Sequence, residues 1–194
     1  METKPALEKT KSFIYQAYNL TQSKLANNIY RGHLRSLSTE IEDSVALFVS
    51  YILPECKVFI DSSIHIDHKN NRPDILILND KNEVIAMLEI KANMGWNRDA
   101  KGVIDNIILN DEKFKNERTL FCEFSNEENE EVKYGDSVKL FLVSLTSWNC
   151  PQKKHDKNKA YADAVKVHYY NLFSGWYDEL FNGDIEEFAN ELLK

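Results

Sequence analysis

Two apolar runs, Asp74–Leu78 and Val84–Lys91, stand either side of a short polar segment, and each is apolar on both of its alternating sides. A strand that hides both faces belongs in the middle of a sheet, with other layers packed above and below it. That requirement leaves few folds for the rest of the chain. A turn at Lys81-Asn82 opposes Leu78 to Ile85, Leu76 to Met87 and Asp74 to Glu89. Opposed residues share a face with Cβ atoms about 4.5–5.5 Å apart. Lys91, two residues past Glu89, lies on that face too. The other face then carries Ile75, Ile77, Val84, Ala86, Leu88 and Ile90. A loop one residue longer or shorter would send Asp74 and Glu89 to opposite faces.

The surrounding pattern supplies the layers. Residues 10–30 are loosely helical. Leu34, Leu37, Ile41, Val45, Phe48, Val49 and Ile52 form one apolar stripe at helical spacing, with Ser36 or Ser38 to cap its start and Pro54 to stop it. Lys57–Asp61 reads as a further strand. A helix is expected over Asp99–Arg118, strands over Val138–Leu145 and Val165–Leu172, and a last helix over Asp184–Leu193. Asn126–Glu131 and Pro151–Lys159 read as polar loops. A helix between strands returns the chain for parallel pairing, so the order predicts an α/β fold with a mixed central sheet flanked by helices. One domain over 1–194 is expected, with its core at about residues 34–172 and helical additions at both ends.

Charge and cysteine usage narrow the setting. The net charge of −7 counts against a general nucleic-acid coat, which would be basic. It leaves room for a metal site, which needs carboxylates, and for local basic patches at His68–Arg72 and Lys154–Lys159. Cys56, Cys122 and Cys150 are far apart and form no zinc-ligand spacing, so they read as reduced thiols. No signal-peptide pattern or membrane-length apolar run occurs, and a cytoplasmic location is expected.

The charged end of the two strands is where chemistry is expected. Two carboxylates side by side repel unless a positive charge lies between them. Mg²⁺ accepts one or two carboxylates together with water and a phosphate oxygen. It acidifies a bound water and neutralises charge on a phosphate in flight. Lys91 can orient or deprotonate the attacking water, or stabilise the developing charge. The carbonyl of Ile90 offers one more oxygen ligand. The plainer alternative is a solvated hairpin end. Pro73, which holds the chain extended at strand entry, and the doubly apolar strands favour the site.

Pro73-Asp74 and then Glu89-Ile90-Lys91, with 14 residues between the two acids, resemble the PD-(D/E)XK nuclease superfamily. The resemblance covers roughly residues 34–145 and takes in the helix ahead, the two strands, the helix after and the next strand. It implies a restriction-endonuclease-like αβββαβ core. It also implies a metal-dependent DNA endonuclease of restriction type, with Asp74 and Glu89 as metal ligands and Lys91 as the catalytic lysine. Members often add a Glu from the preceding helix. Glu42 falls on the border of the apolar stripe and is preferred to Glu40, though a solvated acid at a helix start is the plainer reading of either. Mg²⁺, with Mn²⁺ as a substitute, is the implied cofactor and DNA the implied partner. A homodimer would match the two strands of a duplex. The alternatives are a nuclease for RNA or for branched or damaged DNA, and a non-catalytic nucleic-acid- or protein-binding module.

Arg72, Asn93, Trp96 and Arg98 flank the charged end and are candidates for nucleic-acid contact. Trp96 also reads as a core or turn aromatic. His65, Asp67 and His68 suggest a metal cluster less well than an exposed strand end, because only the first two alternate onto one side. Lys153–Lys159 could track a DNA backbone or simply be solvated. The aromatic run His168–Phe181 is best explained by core packing or a subunit interface.

Overall fold

The computed structural model describes residues 3–25, 36–66, 69–94, 100–123, 129–176 and 179–194. In chain order the elements are α1 (Thr3–Leu25), α2 (Ser36–Ile52), β1 (Lys57–Ile60), β2 (Ser63–Ile66), β3 (Lys69–Asn71), β4 (Ile75–Leu78), β5 (Glu83–Asn93), α3 (Ala100–Glu117), β6 (Thr119–Glu123), β7 (Asn129–Thr146), α4 (Gln152–Ala164), β8 (Val167–Trp176), β9 (Glu179–Asn182) and α5 (Ile185–Leu192). The strands form one mixed sheet in the order β1-β4-β5-β7-β6-β2-β3. β8 joins β7 beyond the reach of β6, and β9 pairs with β8.

Helices cover both faces. Ile41, Val45, Phe48, Val49 and Ile52 of α2 meet Ile75, Ile77, Leu88 and Ile90 of the central strands, with α1 and α5 on the same side. Ile104, Ile107 and Phe114 of α3 and Ala162 of α4 cover the opposite face, over Leu76, Met87, Leu140 and Leu142. β4 is buried at every position, as strands between two helical layers must be. β5, β7 and β8 run parallel, and α4 supplies the return from β7 to β8.

Several expectations change in detail. Leu78 faces Val84 and not Ile85, because a bulge interrupts the β4–β5 ladder. Val84 therefore joins Leu78 and Met87 on the α3 side and not the set expected with Ile75. The loop turns on Asn79, whose Oδ1 accepts from the amides of Lys81 and Glu83, and on Asn82 at φ 56°. Pro151–Lys159 is no loop: Gln152 starts helix α4, which buries Ala162. Asn129–Glu131, expected within a polar loop, begin strand β7 and pair with β6. β7 is long because its first part pairs with β6 and its last part with β5 and β8, while residues 135–138 stand against the single residue Ile85 of β5.

A close backbone approach shapes the β8–β9 connection. Gly175 has φ 89°, and a Cβ there would stand 2.2 Å from the carbonyl oxygen of Glu179. Gly175→Ala is expected to cost on the order of 2 kcal/mol through combined strain and clash. A lowered Tm checks this, and an unchanged Tm would contradict it.

Candidate active site

The β4–β5 ladder pairs Ile75 with Leu88, Leu76 with Met87 and Ile77 with Ala86. This is the expected register for the end that matters, and it brings Asp74 beside Ile90: the Ile90 amide donates to Asp74 Oδ2 at 2.5 Å. Asp74 lies just ahead of β4, Pro73 before it is buried, and the Asp74 carbonyl accepts from the Asp61 amide at 3.0 Å. The residue is thus held from both neighbouring strands.

Lys91 Nζ gathers the other oxygens. It lies 2.5 Å from Glu89 Oε1, 3.0 Å from the Ile90 carbonyl and 3.8 Å from Asp74 Oδ2. Two carboxylates and one carbonyl converge on a single ammonium. All three side chains are partly buried, at 21% exposed for Asp74, 29% for Glu89 and 28% for Lys91. The set is all oxygen, which suits a hard divalent cation. Among the described residues no three acidic, histidine or cysteine side chains converge as a ready-made metal cage. The donor set is therefore two carboxylates and a carbonyl, the sparse kind that leaves room for water and phosphate on Mg²⁺.

Glu42 sits half-buried on α2, near enough to Asp74, Asp61 and Lys91 for their charges to act on it. Burial, then Asp74 and Asp61, raises its pKa to about 7. Glu40 is exposed. Asp74 is pushed up to about 6, first by burial and then by Glu89, while Lys91 and the Ile90 amide pull the other way. A carboxyl free in the unfolded chain titrates near 4. The folded state thus keeps protons that the unfolded chain has released, and stability falls as pH rises from about 4 to 7. Thermal melts across that range are expected to show the fall, and Glu42→Gln is expected to flatten its upper part. A Tm that climbs steadily toward neutral pH in both proteins would contradict this.

The remaining candidates are placed unevenly. Arg72 is exposed and binds Asp61 at 3.1 Å, which sets it at the rim of the acidic group. Asn93 is 4% exposed, opposite Thr146 on β7. Trp96 and Arg98 lie outside the described residues, as do Asp67 and His68. His65 pairs with Glu123 at 3.0 Å on an exposed strand. Asp61 was not singled out from sequence. The signal was there in an acid closing the strand that pairs with β4. A cavity of about 750 Å³ opens at the other end of β5, lined by Val84, Ala86, Lys133 and Lys139, away from Asp74, Glu89 and Lys91.

Sheet order, helices on both faces and the charged end of β4–β5 define a restriction-endonuclease-like α/β fold. Comparison with known structures places it beside NucC of P. aeruginosa, solved in its cAAA-bound form, at a TM-score of 0.50 and 11% identity, over 100% of this chain and 91% of that one. At that identity the likeness concerns the fold, not the role of any residue. No known protein family matches the chain, and no curated protein does.

Proposed function

We propose that this chain is a Mg²⁺-dependent endonuclease of restriction type that hydrolyses phosphodiester bonds in DNA. The supporting observation is the convergence of the Asp74 and Glu89 carboxylates and the Ile90 carbonyl on one cation at the end of two central strands. Those three oxygens are the residues' offer to a divalent metal, with Glu42 behind them on α2. When bound, the metal supplies Lewis acidity toward the phosphate and an acidified water.

The chain's own residues do the rest. The Ile90 amide fixes one oxygen of Asp74, so the carboxylate is aimed before any ligand arrives. The Lys91 ammonium brings a positive charge to where the phosphate would gain negative charge, and its exposed share lets it reach the attacking water. Arg72 at the rim is suited to a phosphate of the strand. Asn93 is 4% exposed, which withdraws its side chain from the surface that a phosphate would approach. Cutting both strands of a duplex with one such site per chain calls for two copies.

Purified protein incubated with plasmid DNA and Mg²⁺ is expected to cut it, with loss of cutting on chelation and in Asp74→Ala. Equal cutting by the wild type and this variant would place the activity elsewhere. No cutting of any DNA or RNA would favour a binding module on the same fold.

A further inference from the structure

Helix α4 joins the C-terminal end of β7 to β8 and carries four lysines against two aspartates. In a chain with 31 acidic residues and 24 basic ones, that is a local excess of positive charge. The charges are sorted by flank. Asp156 accepts from Gln152 at 2.7 Å, and Asp163 lies 3.7 Å from Lys159. Lys153 and Lys157 are exposed, one turn apart, and have no ion pair among the described residues. Lys153 and Lys154 also occupy the first turn, where the helix dipole favours acids, and no acid occurs there.

Packing fixes the direction in which Lys153 and Lys157 point. α3 follows β5 and α4 follows β7, so both helices start at the end of the sheet that holds Glu89 and Lys91 and run back along it. They meet at Tyr161, whose hydroxyl donates to Asp105 of α3 at 2.5 Å while Lys101 stands over its ring at 5.0 Å. Asp105, the acid at that seam, is neutralised by Lys101. Lys157 precedes Tyr161 by one turn and Lys153 by two, so both continue the α3-facing flank of α4 toward the site. Their level is fixed as well. His155, between them in the chain, packs on Tyr169 with ring centroids 5.4 Å apart. Tyr169 is in register with Leu142, and through it with Glu89. β8 lies two strands from β5, so the separation is about 10 Å, the span of about three nucleotides at about 3.4 Å each.

Two unpaired cations at that interval from a site for phosphodiester hydrolysis match a polyanionic strand. We propose that Lys153 and Lys157 hold two backbone phosphates of the nucleic acid strand that runs from Asp74, Glu89 and Lys91 across β7 toward α4. This rests on the nuclease reading and adds to it the direction that the substrate takes over the protein.

Binding of a short fluorescent DNA duplex to the full chain, measured by anisotropy without divalent metal over a series of salt concentrations, tests the surface apart from cleavage. Each phosphate contact contributes about 0.9 to the slope of log affinity against log salt, so Lys153→Gln/Lys157→Gln is expected to flatten it by about 2. Both side chains are exposed and unpaired, so their replacement leaves the fold intact. Lys159→Gln, on the far flank beside Asp163, is expected to leave the slope unchanged. A slope in the double variant equal to that of the wild type, a like loss per lysine in Lys159→Gln, or a wild type that binds no duplex overturns the surface. If Mg²⁺-dependent cutting persists beside an equal slope, the nuclease reading stands without it. A flattened slope with no cleavage of any substrate supports the surface and removes the nuclease reading.

Discussion

Asp74→Asn is expected to raise the Tm of the metal-free protein at pH 7–8 while abolishing cleavage. The carboxyl is largely buried, and burial with Glu89 beside it lifts its pKa to about 6. Above that pH the fold carries an anion that the unfolded chain would hold in water. Each pKa unit is worth about 1.4 kcal/mol, so the penalty is on the order of 2–3 kcal/mol. Asparagine keeps an oxygen for the Ile90 amide and removes the charge. The net gain expected is about 2 kcal/mol, or a rise of about 5 °C for a chain of this size. Below about pH 4, where the wild-type group is protonated in both states, the gain disappears. Cleavage is expected to fall at least about 10²-fold, because the charge that aids the reaction is the one removed. A structural aspartate would behave oppositely and lose stability on replacement. A drop in Tm at neutral pH would therefore sink the idea that this acid is kept for chemistry at the expense of the fold.

The central hairpin was legible in the sequence because its signal is redundant. Apolar residues on both sides of Ile75–Leu78 required central strands, and alternation then placed the charges at one end. The register at that end came out as expected although the loop did not. The tighter pairing of Leu78 with Val84 is offset by the bulge, which restores Ile77 opposite Ala86. Nothing in the residues announces that compensation. The short strands β2, β3, β6 and β9 were missed for a related reason: each is three to five residues, too few for a period to show. Helix α4 was hidden by its composition, since a helix that buries only Ala162 looks like a solvated loop.

For the site, sequence spacing identified Asp74, Glu89 and Lys91 as neighbours. It could not say that Lys91 would lie against both acids and the Ile90 carbonyl at once, because that depends on a side chain folding back along its own strand. Glu42 was preferred to Glu40 on helical angle alone, and its electrostatic contact with Asp74 and Lys91 follows that angle.

Lys91→Ala is expected to lose cleavage like Asp74→Asn but to change stability in the opposite direction. The ammonium is the one cation seen between Asp74 and Glu89 among the described residues, and removing it leaves two partly buried carboxylates facing each other. Breaking a buried pair costs about 3–5 kcal/mol, and the partial exposure of this one brings the expected loss to about 2 kcal/mol at neutral pH. Part of that loss is expected to be recovered at pH 5, where Asp74 takes up a proton. Lys91→Arg restores the charge and most of the stability. It is not expected to restore cleavage, because a guanidinium does not give up a proton and is too broad for the same position. Mg²⁺ distinguishes this account from a purely structural ion pair. In the wild type the ion competes with Lys91 for three oxygens. In Lys91→Ala those oxygens are left to it, so the rise in Tm on adding Mg²⁺ is expected to be larger in the variant than in the wild type. If Mg²⁺ moves the Tm of neither protein, the three oxygens do not form a metal site.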